Sequence, residues 1–295
     1  MSIVTICIPV LNEAEKLTKL LKQIHVYCKN NDVIISDNGS KDKTNLIVKN
    51  YKKKLRKLRY YRLKKNFGFD HNYLNCVKQV KTKYFWVMGG DEQIYSDSIL
   101  KIEKILNLLD GPDGITFVDN KNQKISKTVK KNSLRKIDIY NEGNNVGKIS
   151  LNVIKKNNFI TNTDYLRSNF GYIQVYYILK KIIKNKNWFI LDTNTISRTN
   201  YHSQHYTKPK DCLRRLDMEI KGYYLKIKNN FTSSKNFKKY KKIIFKKNIR
   251  PWIFVNLRVN KKINVLMVLR KNKYLLNEVF DFWILNVLIK IIPEF

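Results

Sequence analysis

Four short polar clusters each follow an apolar run, and their side chains are of the kinds that hold cations and hydrogen-bond donors. PVLNEAE places Asn12 and Glu13 after IVTICIPV (3–10). SDNGSKDKT supplies Asp37, Asn38, Gly39 and Ser40 at the end of DVIISD (32–37). KKNFGFDHNYLN brings Lys65, Asn66, Gly68, Asp70, His71 and Asn72 after LRYYRL (58–63). YFWVMGGDEQIY ends a fourth run in Gly90, Asp91 and Glu92. Carboxylates are hard oxygen ligands suited to Mg2+ or Mn2+, and they accept hydrogen bonds from N–H and O–H groups.

Each cluster also has a plain structural reading. Asp37–Ser40 reads as a tight turn, with Asp42 capping the helix behind it. Glu13 reads as a first-turn acid facing the helix dipole, His71 as a capping or packing residue, and GGDE as a solvated loop. Their company favours chemistry, because all four close successive apolar runs.

Those runs alternate with helical patterns. Leu17, Leu20, Leu21, Ile24 and Cys28 recur at helical spacing, as do Ile47, Val48 and Tyr51, and then Ile99, Ile102, Leu106 and Leu109. YFWVM (84–88) and GITFVD (114–119) read as the fourth and fifth strands. Repeated β-α units predict an α/β fold with a mostly parallel, Rossmann-like sheet and helices on both faces. Ligands of such sheets bind beyond the C-terminal strand ends, which here are the loops 9–13, 37–42, 64–72 and 89–93. After about residue 120 the pattern loosens into a strand within KISLNVIKK (148–156), a helix in GYIQVYYILKKII (171–183) and extended WFILDTNTISR (188–198). From 211 onward helical spacing dominates, with Leu213, Leu216, Ile220, Tyr223, Tyr224 and Ile227 on one face.

Several common chemistries are excluded. The chain has no G-x-x-x-x-G-K-[ST], no G-x-G-x-x-G after the first strand and no nucleophile-elbow serine. Cys7, Cys28, Cys76 and Cys212 lie too far apart for a zinc cluster or a disulfide framework, and they suit a reducing compartment. The opening MSIVTICIPV lacks the basic region of a signal peptide. No run of about 18 apolar residues occurs; FWILNVLIKII (282–292) is too short and is broken by Asn286 and Lys290.

Taken together, ICIPVLNEAEKLTKLLKQI, VIISDNGSKDKT and WVMGGDEQI resemble the opening strand, nucleotide-binding Asp loop and DxD region of family 2 glycosyltransferases of the GT-A fold. The later segment is loosely similar to the abequosyltransferase branch. The resemblance implies inverting transfer of a sugar from a nucleotide-sugar donor to a saccharide or lipid-linked saccharide acceptor, in bacterial surface polysaccharide, lipooligosaccharide or glycoprotein assembly. It implies donor contacts from Pro9, Asn12, Glu13, Asp37, Asn38, Lys65, Asn66, His71, Asn72, Gly90 and Asp91. It also implies Mg2+ or Mn2+ on the diphosphate, held by Glu92 and Asp91. Gly90 stands where the family has the first acid of the triplet, which weakens the case for strict metal dependence. Asp164 in TNTDYLRSNFGY is the candidate general base, with a plain helix cap an equal reading and Asp192 the next candidate. Arg198, His202 and His205 in RTNYHSQHY read as diphosphate or acceptor contacts, as a metal pair, or as a surface loop. A silent scaffold that keeps a degenerate donor site is the alternative function.

The formal charge is +36, and the excess sharpens toward the end: residues 201–295 carry 22 Lys/Arg against 6 acids. Abundant Lys, Asn, Ile, Tyr and Phe also fit A/T-rich coding. Residues 235–250 hold eight basic residues and no acid, interleaved with Phe237, Tyr240, Ile243, Ile244 and Phe245. That pattern predicts a basic amphipathic segment on an anionic membrane surface. No nucleic-acid-binding motif accompanies the charge, so nucleic acid is not an expected partner. The expected layout is a catalytic domain over 1–200 and a helical basic region over 201–295. The expected location is cytoplasmic, peripheral on the inner face of the cell membrane.

Overall fold

The computed structural model describes residues 2–118, 134–142, 145–156, 171–184, 187–192, 197–199, 208–224, 227 and 231–276. The chain divides into two compact units. The first comprises residues 1–137, 148–169 and 185–201; the second comprises 138–147, 170–184 and 202–295.

The first unit opens with β1 (Val4–Val10), α1 (Ala14–Tyr27), β2 (Asp32–Asp37), α2 (Thr44–Lys52), β3 (Leu58–Arg62), α3 (Phe69–Lys78) and β4 (Tyr84–Val87). It continues with β5 (Glu92–Ile94), α4 (Ser98–Leu108), β6 (Gly114–Val118) and β7 (Leu134–Lys136). After α5 (Ile139–Glu142) in the second unit, the chain returns for β8 (Asn152–Lys155). It leaves again for α6 (Ile173–Ile183) and comes back for β9 (Trp188–Asp192) and β10 (Ser197–Thr199).

Eight strands form one sheet in the order β3-β2-β1-β4-β8-β6-β9-β7, and β10 pairs with β5 in a separate ribbon. The four strands β3, β2, β1 and β4 are all parallel. β8 runs antiparallel to both its neighbours, β6 and β9 are parallel, and β7 is antiparallel to β9. The expected α/β architecture is therefore present. Every residue of β1 is buried, as a central strand covered on both faces must be. The inward stripe of α1 is the predicted one: Leu17, Leu20, Leu21 and Ile24 are fully buried, and Cys28 lies just past the helix end. Trp86 on β4 is also fully buried, and its indole N–H donates to the Ser150 carbonyl at 2.7 Å. A buried side chain of this size contributes about 2–3 kcal/mol, provided its polar edge finds a partner.

From β1 the chain steps outward through β2 to β3, then crosses back to place β4 on the other side of β1. That reversal makes the C-terminal edge of β1 and β4 the topological switch point, where open α/β sheets take their ligands.

The second unit also contains α7 (Pro209–Tyr224), α8 (Ser234–Ile244), a π-turn at Phe245–Ile249, α9 (Arg250–Val259), α10 (Lys262–Lys271) and the short α11 (Lys273–Leu276). Tyrosines build much of its interior: Tyr172, Tyr223, Tyr224 and Tyr240 are all buried. Their hydroxyls donate inward, Tyr224 to the Lys241 carbonyl at 2.7 Å and Tyr240 to the Tyr223 carbonyl at 3.1 Å. Tyr172 donates to Glu219 at 2.6 Å, and Arg215 closes the group with a 2.6 Å ion pair to Glu219.

This packing corrects the expectation for 235–250. Phe237, Tyr240, Ile244 and Ile249 lie inside the unit, with the Phe231 ring tilted against Phe237 and Tyr240 at 5.2–5.4 Å. Most of the apolar side of this segment is core, with Ile243 and Phe245 half-buried, while Lys238, Lys239, Lys242, Lys246 and Lys247 are exposed. Among the described residues no helix is long and apolar enough to cross a membrane.

Candidate active site

The loops after β1, β2 and β3 are tied together by short polar side chains. Asn12 adopts the left-handed conformation at φ 54°, a region asparagine tolerates better than most residues. Its backbone N–H donates to Ser40 Oγ at 2.9 Å, and its side-chain oxygen accepts from Lys41 N at 2.7 Å. Asp42 accepts from Ala14 N at 2.9 Å and from Thr44 N at 3.1 Å, so one carboxylate caps the starts of both α1 and α2.

Asn38 performs the same task between the second and third loops. Its amide donates to Asn66 Oδ1 at 2.8 Å and to the Gly68 carbonyl at 3.1 Å, while its oxygen accepts from Phe67 N at 2.9 Å. Gly39 makes this contact close: a Cβ there would lie 2.9 Å from the Lys65 backbone, and its φ of +79° also favours glycine. Asn72 is buried and reaches back, accepting from Ser36 Oγ at 2.7 Å and donating to the Val10 carbonyl at 3.2 Å.

Asp37 is fully enclosed. Its carboxylate accepts from Ser40 N at 2.8 Å and from the Tyr60 hydroxyl at 2.6 Å, with Arg62 at 3.6 Å. Burial, then the bond to Asp37, raises the Tyr60 phenol well above its ordinary value. Pro9 is buried at the end of β1. Asn12, Lys65 and Asn66 are exposed, and His71 is half-buried and stacked on Phe67 at 4.9 Å.

The fourth loop carries the acids. Glu92 is buried: Oε2 accepts from Gly89 N at 2.9 Å and Oε1 accepts from the Ser150 hydroxyl. Burial pushes its carboxyl up to about 7, against the lowering effect of those two hydrogen bonds. Asp91 is half-exposed, and neither of its oxygens accepts a hydrogen bond from a described residue. Glu13 approaches from the first loop; a Cβ on Gly90 would lie 2.7 Å from its Oε2. Burial raises Glu13 to about 7 as well; Lys16 at 3.8 Å opposes the rise, and Asp91 adds to it. The acid missing at position 90 is thus faced by an acid from a different loop, beyond the ends of β1 and β4.

Asp91 is a hard-oxygen donor that accepts no hydrogen bond from a described residue, which fits a divalent cation whose other ligands come from phosphate oxygens and water. Glu92 fits that role less directly, since Ser150 and Gly89 occupy its oxygens. Among the described residues no group of three or more His, Cys, Asp or Glu side chains could hold a metal unaided.

The structure brings loops one to four together as the sequence predicts. Position 198 joins them through the backbone, because β10 pairs Arg198 with Gln93 and Thr199 with Glu92. Asp192 ends β9. Asp164, His202 and His205 lie outside the described residues. Sequence reasoning missed Ser150, Tyr60 and Ser40 as supports of the acids. Only Ser40 lay within a cluster that could have signalled it.

Residues 5–173 match the Glycosyl transferase family 2 profile. The chain belongs to this family. An uncharacterized glycosyltransferase of Rickettsia prowazekii is 36% identical over 120 residues, which are 39% of this chain and 35% of the relative. The abequosyltransferase of Salmonella typhimurium is 30% identical over 109 residues, 36% of this chain and 33% of that one. The matched segment thus spans about a third of the length of these relatives. Among solved structures, Staphylococcus aureus TarS 1–349 superposes with a TM-score of 0.57 at 13% identity, covering 94% of this chain and 87% of TarS. The mannosyltransferase PcManGT of Pyrobaculum calidifontis, in complex with GDP-Man and Mn2+, gives 0.54 at 12% identity, covering 92% and 73%. These likenesses establish the GT-A fold for this family 2 chain.

Proposed function

We propose that the protein is an inverting glycosyltransferase that moves a sugar from a nucleotide-sugar donor to a glycan or lipid-linked saccharide. The acceptor would belong to bacterial surface polysaccharide, lipooligosaccharide or glycoprotein assembly, and the protein would work at an anionic membrane surface on the cytoplasmic side. The catalytic domain would span 1–200 and the basic helical region 201–295. The observation that carries this reading is the braced set of strand-end loops, which carries Asn12, Glu13, Lys65, Asn66, His71 and Asp91 at the C-terminal edge of the parallel strands.

The roles divide by exposure. The accessible groups Asn12, Lys65, Asn66 and His71 would touch the donor, with Lys65 supplying positive charge toward its phosphates. Pro9, Asp37, Asn38 and Asn72 are buried, and their part would be to hold the surface that the nucleotide rests on. Asp91 would hold Mg2+ or Mn2+, which neutralises the diphosphate as it leaves. Glu92 would join it only on release of the Ser150 hydroxyl; while that bond stands, Glu92 fixes the turn carrying Asp91. Gly90 leaves room for the Glu13 carboxylate beside Asp91. Asp164 would take the acceptor hydroxyl's proton, and Arg198, His202 and His205 would contact diphosphate or acceptor.

TarS in complex with UDP-GlcNAc and PcManGT in complex with GDP-Man and Mn2+ make nucleotide sugars the ligands to screen. The test is donor binding and hydrolysis across UDP-, GDP-, CDP- and dTDP-sugars with Mn2+, using Asp91→Ala and Asp164→Ala as controls. Binding without turnover would favour the silent scaffold, a reading that the glycine at position 90 also suits. Binding of no nucleotide would sink both.

A further inference from the structure

The outer faces of α9 and α10 carry the largest group of exposed apolar side chains on the described helices of the second unit. Phe254, Val255 and Val259 project from α9, and Ile263 and Met267 from α10, with Tyr274 just beyond. Phe254 is 48% exposed, Met267 61% and Tyr274 60%. The inner faces of both helices are anchored on α7: Asn256 donates to the Cys212 carbonyl at 3.0 Å, Asn260 to the Pro209 carbonyl at 3.1 Å and Asn272 to Asp217 at 2.7 Å. Only residues 260–261 separate the two helices, so this is a helical hairpin with one side bound and the other bare.

Among the described residues of the hairpin, 250–276, every charged side chain is basic. Arg250, Arg258, Arg270 and Lys271 are exposed among the apolar residues, and Arg250 lies over the Phe254 ring at 5.6 Å. Residues 220–277 contain 17 Lys/Arg and no Asp or Glu. Exposed apolar groups mixed with cations, with aromatic rings among them, match the boundary between anionic headgroups and acyl chains. A nucleic acid would use the charge and leave the aliphatic side chains without a role. A second copy of this chain would bring like charge against like.

We propose that the outer face of the α9–α10 hairpin docks on an anionic lipid bilayer, with Phe254, Ile263 and Met267 entering the headgroup boundary. This deepens the peripheral-membrane part of the proposed function and moves the inserting surface from 235–250, where most of the apolar side is core, to 250–274. The buried inner face keeps the hairpin folded in the absence of lipid.

The test is vesicle co-sedimentation of the nucleotide-free protein, so its failure would leave the sugar-transfer reading intact. Vesicles of phosphatidylglycerol and phosphatidylethanolamine are compared with pure phosphatidylcholine. The triple variant Phe254→Gln, Ile263→Gln, Met267→Gln keeps every charge and replaces only exposed side chains, and circular dichroism checks its fold. Partitioning onto phosphatidylglycerol vesicles is expected to fall about tenfold or more. A second arm labels Met267→Cys, or Lys235→Cys on the exposed basic side of α8, with an environment-sensitive dye; all four native cysteines are buried. Dye at 267 is expected to shift to the blue on phosphatidylglycerol vesicles, and dye at 235 is not. Undiminished binding by the triple variant, an unshifted dye at 267, or light scattering that shows the patch serving only self-association would each overturn the proposal.

Discussion

The Glu13 carboxylate lies where a side chain on Gly90 would begin, with Oε2 2.7 Å from the ideal Cβ position. Glutamate is long enough to swing away, so Gly90→Ala is expected to cost less than about 1 kcal/mol of stability. It would nonetheless displace the carboxylate from its place beyond the strand ends. Donor binding by Gly90→Ala and by Glu13→Ala should weaken to a similar degree, and the double variant should be no worse than either. Isothermal titration with the donor found by screening checks this; additive losses would mean that the two residues act independently.

Glu92 gives metal-free protein a distinctive pH response. Below about pH 4.5 its carboxyl holds a proton in both folded and unfolded chains. Between about 4.5 and 7 the unfolded chain has released that proton while the folded one keeps it. The folded state binds more protons there, so stability falls as pH rises through the window. At about 1.4 kcal/mol per pK unit the decline is on the order of 3 kcal/mol. Glu13 adds a slope of the same sign. Urea denaturation in EDTA should show Glu92→Gln losing roughly half of the combined slope; an unchanged slope would place the raised proton elsewhere.

Asn38→Ala removes three hydrogen bonds at once and strands the Phe67 N–H and the Gly68 carbonyl. The expected cost is about 1–3 kcal/mol, with faster hydrogen exchange at Phe67. Asn38→Asp should fail to rescue it, because an aspartate oxygen would face the Asn66 and Gly68 oxygens. A fully stable aspartate variant would contradict the assigned orientation of the amide.

The four thiols should be silent in native protein. Cys7, Cys28, Cys76 and Cys212 are buried, and burial pushes Cys28 up to about 12. Ellman's reagent at pH 8 should react with none of them quickly and with all four in urea. Rapid native labelling would show that at least one of these core positions is open.

Much of the first unit was legible because its signals are local. The strand at 32–37 has the apolar centre Val33–Ile35 and that at 84–87 is apolar throughout, and the stripe at Leu17, Leu20, Leu21 and Ile24 lies on one turn-to-turn face. Two elements next to the site escaped notice. α3 begins inside the polar cluster at Phe69, where Asp70, His71 and Asn72 look like loop. β5 has three residues and is defined by its pairing with β10 about a hundred positions later. The state of Glu92 was equally hidden, since Ser150 is 58 residues away. For 235–250 the amphipathic pattern was correct and its environment was not: period alone cannot tell a protein core from a bilayer.

The cross-ties at Asn12, Asn38 and Asn72 have a kinetic consequence. Loops that share side-chain bonds cannot open one at a time, so the three behave as a single plate. A ligand arriving above β1 finds the surface already set, and little ordering remains to slow its capture.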